Sequence, residues 1–331
     1  MRIRNTCVLA LAMLMWFCAR AQQEVQLSQY MFNGLTINPA LAGSYETFNA
    51  QLLYRMQWLG FGGAPHSQVG SVDGVLNQSY SMGWGLSVVG EQMGLMSTMG
   101  AYATYAYRIR LNEMDDRLSL GLSAGAMQEK FGGVEASATS SNGEAIYADD
   151  PLLRPDSRWW PDFRVGAYYS YGKTAYVGLS ASNLGSFIDF GADSFRLNSP
   201  HIYLMAGMHH YFDADWRLSP TLLAHYTLYD RPLLDANVAV TYRDMVWLGL
   251  GLRATLPFNE PKGSSYPKAS VANAMAIMAE VWVTPSLRIG YCYDYSLTRM
   301  AVGNVQTGSH EISLGYTLSR KLEVIRNPRG F

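Results

Sequence analysis

Residues 246–256, VWLGLGLRATL, place Val246, Leu248, Leu250, Leu252, Ala254 and Leu256 on one side of an extended chain. Trp247, Gly249, Gly251, Arg253 and Thr255 fall on the other. Leu118, Leu120, Leu122 and Ala124 alternate in the same way with Ser119, Gly121, Ser123 and Gly125. So do Leu234, Ala236, Val238, Val240 and Tyr242 with Asp235, Asn237, Ala239, Thr241 and Arg243. A period of two specifies strands with one apolar and one polar face. Two architectures use such strands: a soluble sandwich that buries the apolar faces between sheets, and a membrane barrel that turns them to lipid.

Segment length and loop order choose between them. The segments run roughly 10–13 residues, the span of a tilted membrane-crossing strand and about twice the mean strand of a soluble sheet. Connections at Gly172–Lys173, Asp213–Asp215, Asp244 and Thr284–Ser286 are tight. Those at Phe131–Trp160, Asn183–Ser199, Pro257–Ser270 and Leu297–Thr307 are long and rich in Gly, Ser, Pro and Asp. Short turns at one rim and long loops at the other suit an outer-membrane barrel, and a sandwich gives no reason for the segregation. From Thr47 onward there are about 14 segments, an even number as such barrels have. The expected fold is all-β: a transmembrane outer-membrane barrel of about 14 antiparallel strands over residues 47–318. Mid-segment charges (Arg55, Arg108, Arg164, Arg253, Glu280, Arg288 and Asp294) then face a lumen, in water or paired. Trp58, Trp84, Trp216, Trp247 and Trp282 are candidates for interfacial girdles, although Trp247 alternates onto the inner face. The stretch His66–Leu76 alternates least clearly.

Only 15% of the residues are charged, against about 25% in soluble domains, and the net charge of −1 argues against a general nucleic-acid binder. Residues 1–21 read as a secretory signal peptide. Arg2 and Arg4 precede the apolar Cys7–Phe17, and A-R-A ends at Ala21. A lipoprotein site at Cys18 is disfavoured by the bulky Met-Trp-Phe before it. Cleavage after Ala21 removes Cys7, Cys18 and three arginines, leaving Cys292 alone and a balance of 22 − 26 = −4. That leaves no disulfide and no thiolate metal cluster. No later run is long and apolar enough for a membrane helix. The expected organisation is a signal peptide (1–21), an N-terminal periplasmic or plug segment (22–46), the barrel (47–318) and a periplasmic tail (319–331).

Ser309, His310 and Glu311 are the three groups of a hydrolytic relay, but adjacent strand residues point to opposite faces. His310 therefore cannot sit between the other two, and the expected role is a polar strand mouth meeting water or a loop. His209–His210 separate by the same geometry, and no H-x-x-x-H or C-x-x-C supports a metal site. The sequences GWG, GLG and FGG lack the strand–loop–helix context of a nucleotide cradle. Inward glycines instead accommodate aromatic neighbours or curvature. Asp149, Asp150 and Asp156 read as a solvated acidic loop. Neither a catalytic residue nor a cofactor is expected.

The segment LSQYMFNGLTINPALAGSYE (Leu27–Glu46) has no amphipathic period, carries Asn-Pro and Ala-Gly breakers, and is too apolar to hang free in the periplasm. It either packs into the barrel or docks on a partner. Together with YRMQWLGFGGAP, which holds Trp58, Gly60 and Phe61, it resembles the start of the PorP/SprF family of the type IX secretion system. PDFRVGAYY, YVGLSASNL, WRLSPTLLAHY and MVWLGLGLR follow in the family's order. IGYCYDYSLTRMAVGNVQTGSHEISLGY, with Asp294, Ser309, His310 and Glu311, is similar to its Y-D-Y-S…G-S-H-E-I signature, and NPRGF to its terminal Pro-Arg-aromatic tail. Cys292 departs from a usual Ser, and Gly330 from a usual Tyr.

The resemblance implies a non-enzymatic barrel in the cell outer membrane, in contact with its lipid, acting in secretion or gliding motility. Its implied partners are periplasmic ring or peptidoglycan-binding lipoproteins, or a secreted adhesin, with no nucleic acid. The alternative is a general small-solute porin. A barrel of about 14 strands is too narrow to pass a folded protein. Both chain ends are expected at the periplasmic rim, where Tyr30, Phe32, Asn38, Pro39 and Gly43 with Arg320, Lys321, Arg326 and Arg329 would form a partner-binding surface.

Overall fold

The computed structural model describes residues 26–77, 79–113, 115–132, 156–187, 199–227, 231–256, 272–298 and 307–318. The tail arginines and Lys321, the Asp149–Asp150 pair and the signal segment lie outside them. The strands are β1 (Asn49–Met56), β2 (His66–Val75), β3 (Met82–Met93), β4 (Met96–Arg110), β5 (Arg117–Phe131), β6 (Asp156–Tyr171) and β7 (Ala175–Ser182). They continue with β8 (His201–Met208), β9 (His210–Tyr211), β10 (Trp216–Thr227), β11 (Leu233–Tyr242) and β12 (Val246–Thr255). The last three are β13 (Ala272–Trp282), β14 (Leu287–Ser296) and β15 (Ser309–Thr317).

Every pairing is antiparallel, between sequence neighbours except for β8 with β10, and β15 on β1 closes the sheet on itself. Both β8 and β9 pair with β10 and are pieces of one crossing broken at His209, so the wall is a closed barrel of 14 strands. Closure leaves no sheet edge along the wall, as a structure crossing hydrocarbon requires.

The alternation maps onto the wall as read from the sequence. On β1, Leu52 and Tyr54 are exposed on the outer face while Asn49, Gln51, Leu53 and Arg55 are buried inside. On β12, Leu248, Leu250 and Leu252 point outward; Gly249, Gly251 and Arg253 point in. Residues 66–75 do form a strand, β2. Its pattern was faint because Gly70 and Gly74 hold outer positions, filled by Leu52 and Trp84 from the neighbouring strands. Trp84 and Trp216 sit near the ends of β3 and β10, whereas Trp247 and Trp282 lie on the inner faces of β12 and β13.

Antiparallel order assigns each connection to a rim. Connections 76–81, 111–116, 172–174, 212–215, 243–245 and 283–286 share one rim with the start of β1 and the end of β15. The opposite rim carries 57–65 and the connections β5–β6, β7–β8, β12–β13 and β14–β15. It also carries the five-residue β10–β11 connection and the tight turn Gly94–Leu95, so the segregation is strong without being complete. The β5–β6 hairpin extends from the wall: the two strands carry their pairing up to Phe131 and Asp156, well into the stretch expected to be loop.

Candidate functional site

Inside the wall, inward-facing charges converge from five strands. Arg55 and Glu311 are register partners on β1 and β15, Asp294 lies on β14, and Asp235 and Arg253 are register partners on β11 and β12. The Arg55 guanidinium lies 2.6 Å from Asp294 Oδ2 and 3.0 Å from Glu311 Oε2. Arg253 Nε donates to Asp235 Oδ1 at 2.7 Å, and its Nη1 lies 3.7 Å from Asp294. Arg55, Asp294 and Glu311 are almost completely buried, where an uncompensated charge costs several kcal/mol.

Two arginines face three carboxylates here, and the N-terminal segment supplies further donors. The backbone N–H groups of Ser28 and Gln29 donate to the two Glu311 oxygens at 3.0 and 2.7 Å. Ser28 Oγ donates to Asp294 at 2.6 Å and accepts from Arg55 at 2.9 Å and from Arg253 at 3.2 Å. Ser313 Oγ donates to Gln29 Oε1. A carboxylate taking two consecutive main-chain donors fixes both the position and the direction of the segment. Glu311 is therefore a fully buried, ion-paired anchor of the N-terminal segment near the mouth of β15, a more specific role than a polar group meeting water.

From that anchor the chain runs through the barrel, touching the wall at every turn. Tyr30 is buried, and its Oη accepts from Asn237 at 3.1 Å and bonds Thr221 at 3.2 Å. Phe32 packs edge-on against Trp247, with centroids 4.9 Å apart. Asn33 Oδ1 accepts from Ser71 at 3.0 Å. The 3-10 turns Gly34–Thr36 and Pro39–Leu41 come next, the second capped by Asn38 Oδ1, which accepts from the Ala40 N–H at 2.9 Å. Arg164 donates to Thr36 O at 3.0 Å, Ser180 to Ile37 O at 2.7 Å, and Asn38 Nδ2 to Ala167 O at 3.0 Å. Gly43 turns the chain with φ +70°; its N–H donates to Asp73 at 2.9 Å and its C=O accepts from Arg108 at 2.7 Å. Glu46 then pairs with Arg117.

Wall glycines make room for this path. A Cβ on Gly121 would lie 2.2 Å from Ala40 N, and one on Gly83 would lie 2.0 Å from Ala42 O. Real Cβ atoms do not approach backbone this closely, so these inner positions suit only Gly. The sequence pattern led to aromatics beside such glycines. That holds for Trp247 against Gly249, but at Gly83 and Gly121 the neighbour is the N-terminal backbone.

The other sequence candidates fall as follows. Tyr30, Asn38, Pro39 and Gly43 are buried against the wall, and Phe32 is partly buried. Trp58 donates its N–H to Ser309 Oγ at 3.1 Å, while Gly60 and Phe61 are exposed on the 57–65 connection. His310 leaves the inner face, meeting the Tyr291 hydroxyl at 2.7 Å, so Ser309, His310 and Glu311 do not converge. His209 and His210 separate as well, His209 to Ser219 at 2.9 Å and His210 to the Phe212 ring. A closer histidine pair was missed. His201 and His225 are 2.6 Å apart beside Tyr203, and their inward positions on β8 and β10 were the only signal. Among the described residues no group of three His, Cys, Asp or Glu is placed to hold a metal. Ser28, Gln29, Asp73 and Asp235 were also missed, because nothing in a linear pattern brings residue 28 to residue 311.

One expectation is overturned. The segment does not emerge whole at the short-turn rim. Gly43 and Glu46 meet Asp73, Arg108 and Arg117 there, but Ser28 and Gln29 meet Arg55, Asp294 and Glu311 within two residues of the opposite ends of β1, β14 and β15. Buried donors and acceptors of the upper wall draw it inward.

A family model described as "Type IX secretion system membrane protein PorP/SprF" matches residues 19–316. No curated protein matched the chain. Among solved structures, the Ralstonia pickettii toluene transporter TbuX aligns with a TM-score of 0.50 at 10% identity, covering 86% of this chain and 92% of that one. A Pseudomonas aeruginosa FadL homologue gives 0.47 at 12% identity, covering 85% and 93%. Acinetobacter baumannii Omp33 gives 0.43 at 8%, covering 82% and 97%. At these identities the likeness concerns the fold alone: an outer-membrane barrel.

Proposed function

Because the chain belongs to the PorP/SprF family of type IX secretion system membrane proteins, we propose that it is a plugged, non-enzymatic docking barrel of that machinery. It sits in the outer membrane with its apolar face in lipid. The observation that carries the reading is the bonded path of residues 28–43 across the lumen, with contacts on the inner faces of β1 to β7 and of β10, β11, β12, β14 and β15. A diffusion channel needs a wet passage, whereas a segment bonded to this much of the wall fills it. The role left to such a barrel is anchorage.

Its docking groups are assigned to the short-turn rim, which in this architecture faces the periplasm. The cationic tail with Arg320, Lys321, Arg326 and Arg329 continues from β15 there, and a periplasmic ring component, a peptidoglycan-bound lipoprotein or a secreted adhesin is the class of partner. In planar bilayers the purified protein should show no steady open channel. A variant lacking residues 22–46, provided it still migrates as a heat-modifiable barrel, should conduct. Steady porin-like conductance by the intact protein would replace the docking reading with the small-solute porin.

A further inference from the structure

We infer that the mature N-terminus is presented at the long-loop mouth of the barrel, on the cell-exterior side, so that the segment after it runs down the whole lumen before β1 begins. This goes beyond the docking role and uses only the barrel's orientation from it.

The two ends of the segment lie at different levels of the wall. Asn49 of β1 and Thr317 of β15, the ends of the closed sheet, are at the short-turn rim and pair with each other. Arg55 lies six positions along β1 from Asn49, about 20 Å of extended chain, and one position before the strand ends. Its partners are at the same level, Asp294 two positions before the end of β14 and Glu311 two positions after the start of β15. Ser28 and Gln29 are clamped to these groups and to Arg253 by five hydrogen bonds that include both main-chain N–H groups. The contacts of residues 36–43 then fix the direction. Thr36 and Asn38 meet Arg164 and Ala167, and Gly43 meets Asp73 and Arg108 at the short-turn ends of β2 and β4. The chain runs from the clamp at residues 28–29 to the short-turn rim at residues 43–46, and Gln26 and Leu27 line a cavity with Tyr203, His225, Leu233 and Asp235 at the long-loop ends of β8, β10 and β11.

Two polar clamps hold the strap. The outer is Arg55–Asp294–Glu311–Arg253 on Ser28 and Gln29; the inner is Asp73 and Arg108 on Gly43. A barrel closed around such a strap connects the cell exterior with the periplasmic rim through one covalent chain. A partner held at the outer end would thereby be joined mechanically to groups at the inner rim.

The test places an epitope between Ala21 and Gln22 in one strain and after Phe331 in another, and probes intact and permeabilised cells with antibody. The N-terminal epitope should bind antibody on intact cells, and the C-terminal epitope only after permeabilisation. An N-terminal epitope on a heat-modifiable barrel that is reached only after permeabilisation overturns the inference, as does surface exposure of the C-terminal epitope. If the insertion prevents folding, Gln26→Cys and Glu113→Cys are compared in a Cys292→Ser background with a small membrane-impermeant maleimide. Glu113 is exposed on the short-turn rim. Labelling of the first but not the second in intact cells supports the topology, and the reverse pattern rejects it.

Discussion

The wall and the strand-less segment inside it obey opposite rules. On the outside of β1, Leu52 and Tyr54 need only be apolar, because lipid tails adapt to whatever shape they meet. On the inside of the same strand, Arg55 meets two carboxylates and a serine hydroxyl at defined distances. Solvent quality selects the residue class on one face; individual bonds select the residue on the other. The outer face should therefore tolerate substitution within a class, and the inner face should not.

Removing a charge from the inner face tests this most severely. Arg55→Ala leaves Asp294 and Glu311 buried without the cation they share, a loss of about 3–5 kcal/mol for a broken buried pair. Leu52→Met, on the lipid side of the same strand, should cost under about 1.5 kcal/mol as a volume-conserving swap. Denaturant midpoints of the two variants refolded into the same detergent check the contrast. Similar midpoints would mean that the cluster is hydrated and that the inner face is no more exacting than the outer.

Gly121→Val should act next most strongly, and through space. Its Cβ would fall 2.2 Å from Ala40 N and 2.3 Å from the Pro39 carbonyl carbon, both backbone atoms that cannot rotate away. Overpacking of this kind costs about 1–3 kcal/mol. The strand itself accepts Val readily, so the strain should fall on the strap. Expected is a barrel that still shows heat-modifiable migration but gains conductance in bilayers. Loss of the barrel would show that wall and strap fold as one unit.

The same contrast decides how much was legible in the sequence. Period-two patterning needs only neighbours in sequence, so the strand faces, the loop segregation and the opposed directions of His310 and Glu311 were all readable. The pattern at β2 was faint for a local reason: glycines at outer positions erase the apolar signal that neighbouring side chains restore in space. The cluster at Arg55 was visible only as a set of inward charges. What chose their partners is register across closure, Arg55 opposite Glu311, together with a segment about 280 positions away in sequence from β15. Aperiodic, apolar composition marked residues 27–46 as needing a surface, but the direction in which they run is set by donors and acceptors on separate strands. No sequence period encodes that.

A milder substitution samples the strap's middle. Tyr30→Phe keeps the ring in its buried site and removes only the hydroxyl, leaving Asn237 Nδ2 and Thr221 Oγ1 without that partner. The expected loss is roughly 1–2 kcal/mol, read from the denaturant midpoint, with conductance still absent. A full loss of closure from one hydroxyl would make Tyr30, rather than the clamps at the two ends, the point that holds the strap.

The smallest effect is expected one residue away from the most constrained carboxylate. His310 and Glu311 are adjacent in sequence, yet Glu311 is completely buried against Arg55, Ser28 and Gln29, while His310 shares a hydrogen bond with Tyr291 on the outer side of the wall. After His310→Ala, the Tyr291 hydroxyl remains accessible to water or headgroups near the rim, so no buried group is stranded. The change should stay within about 0.5 kcal/mol, the range of surface substitutions away from special features. Glu311→Ala deprives Arg55 of one anion and two main-chain N–H groups of their acceptor, and should lie several kcal/mol lower, as breaking a buried pair does. Neither protein should hydrolyse a lipid ester, because Ser309 and His310 face opposite ways. Midpoints and ester hydrolysis measured on both variants and the parent examine the two claims together. An esterase rate lost with His310→Ala would restore the relay. Equal destabilisation by the two substitutions would show that the alternation of faces does not govern where this wall can be changed.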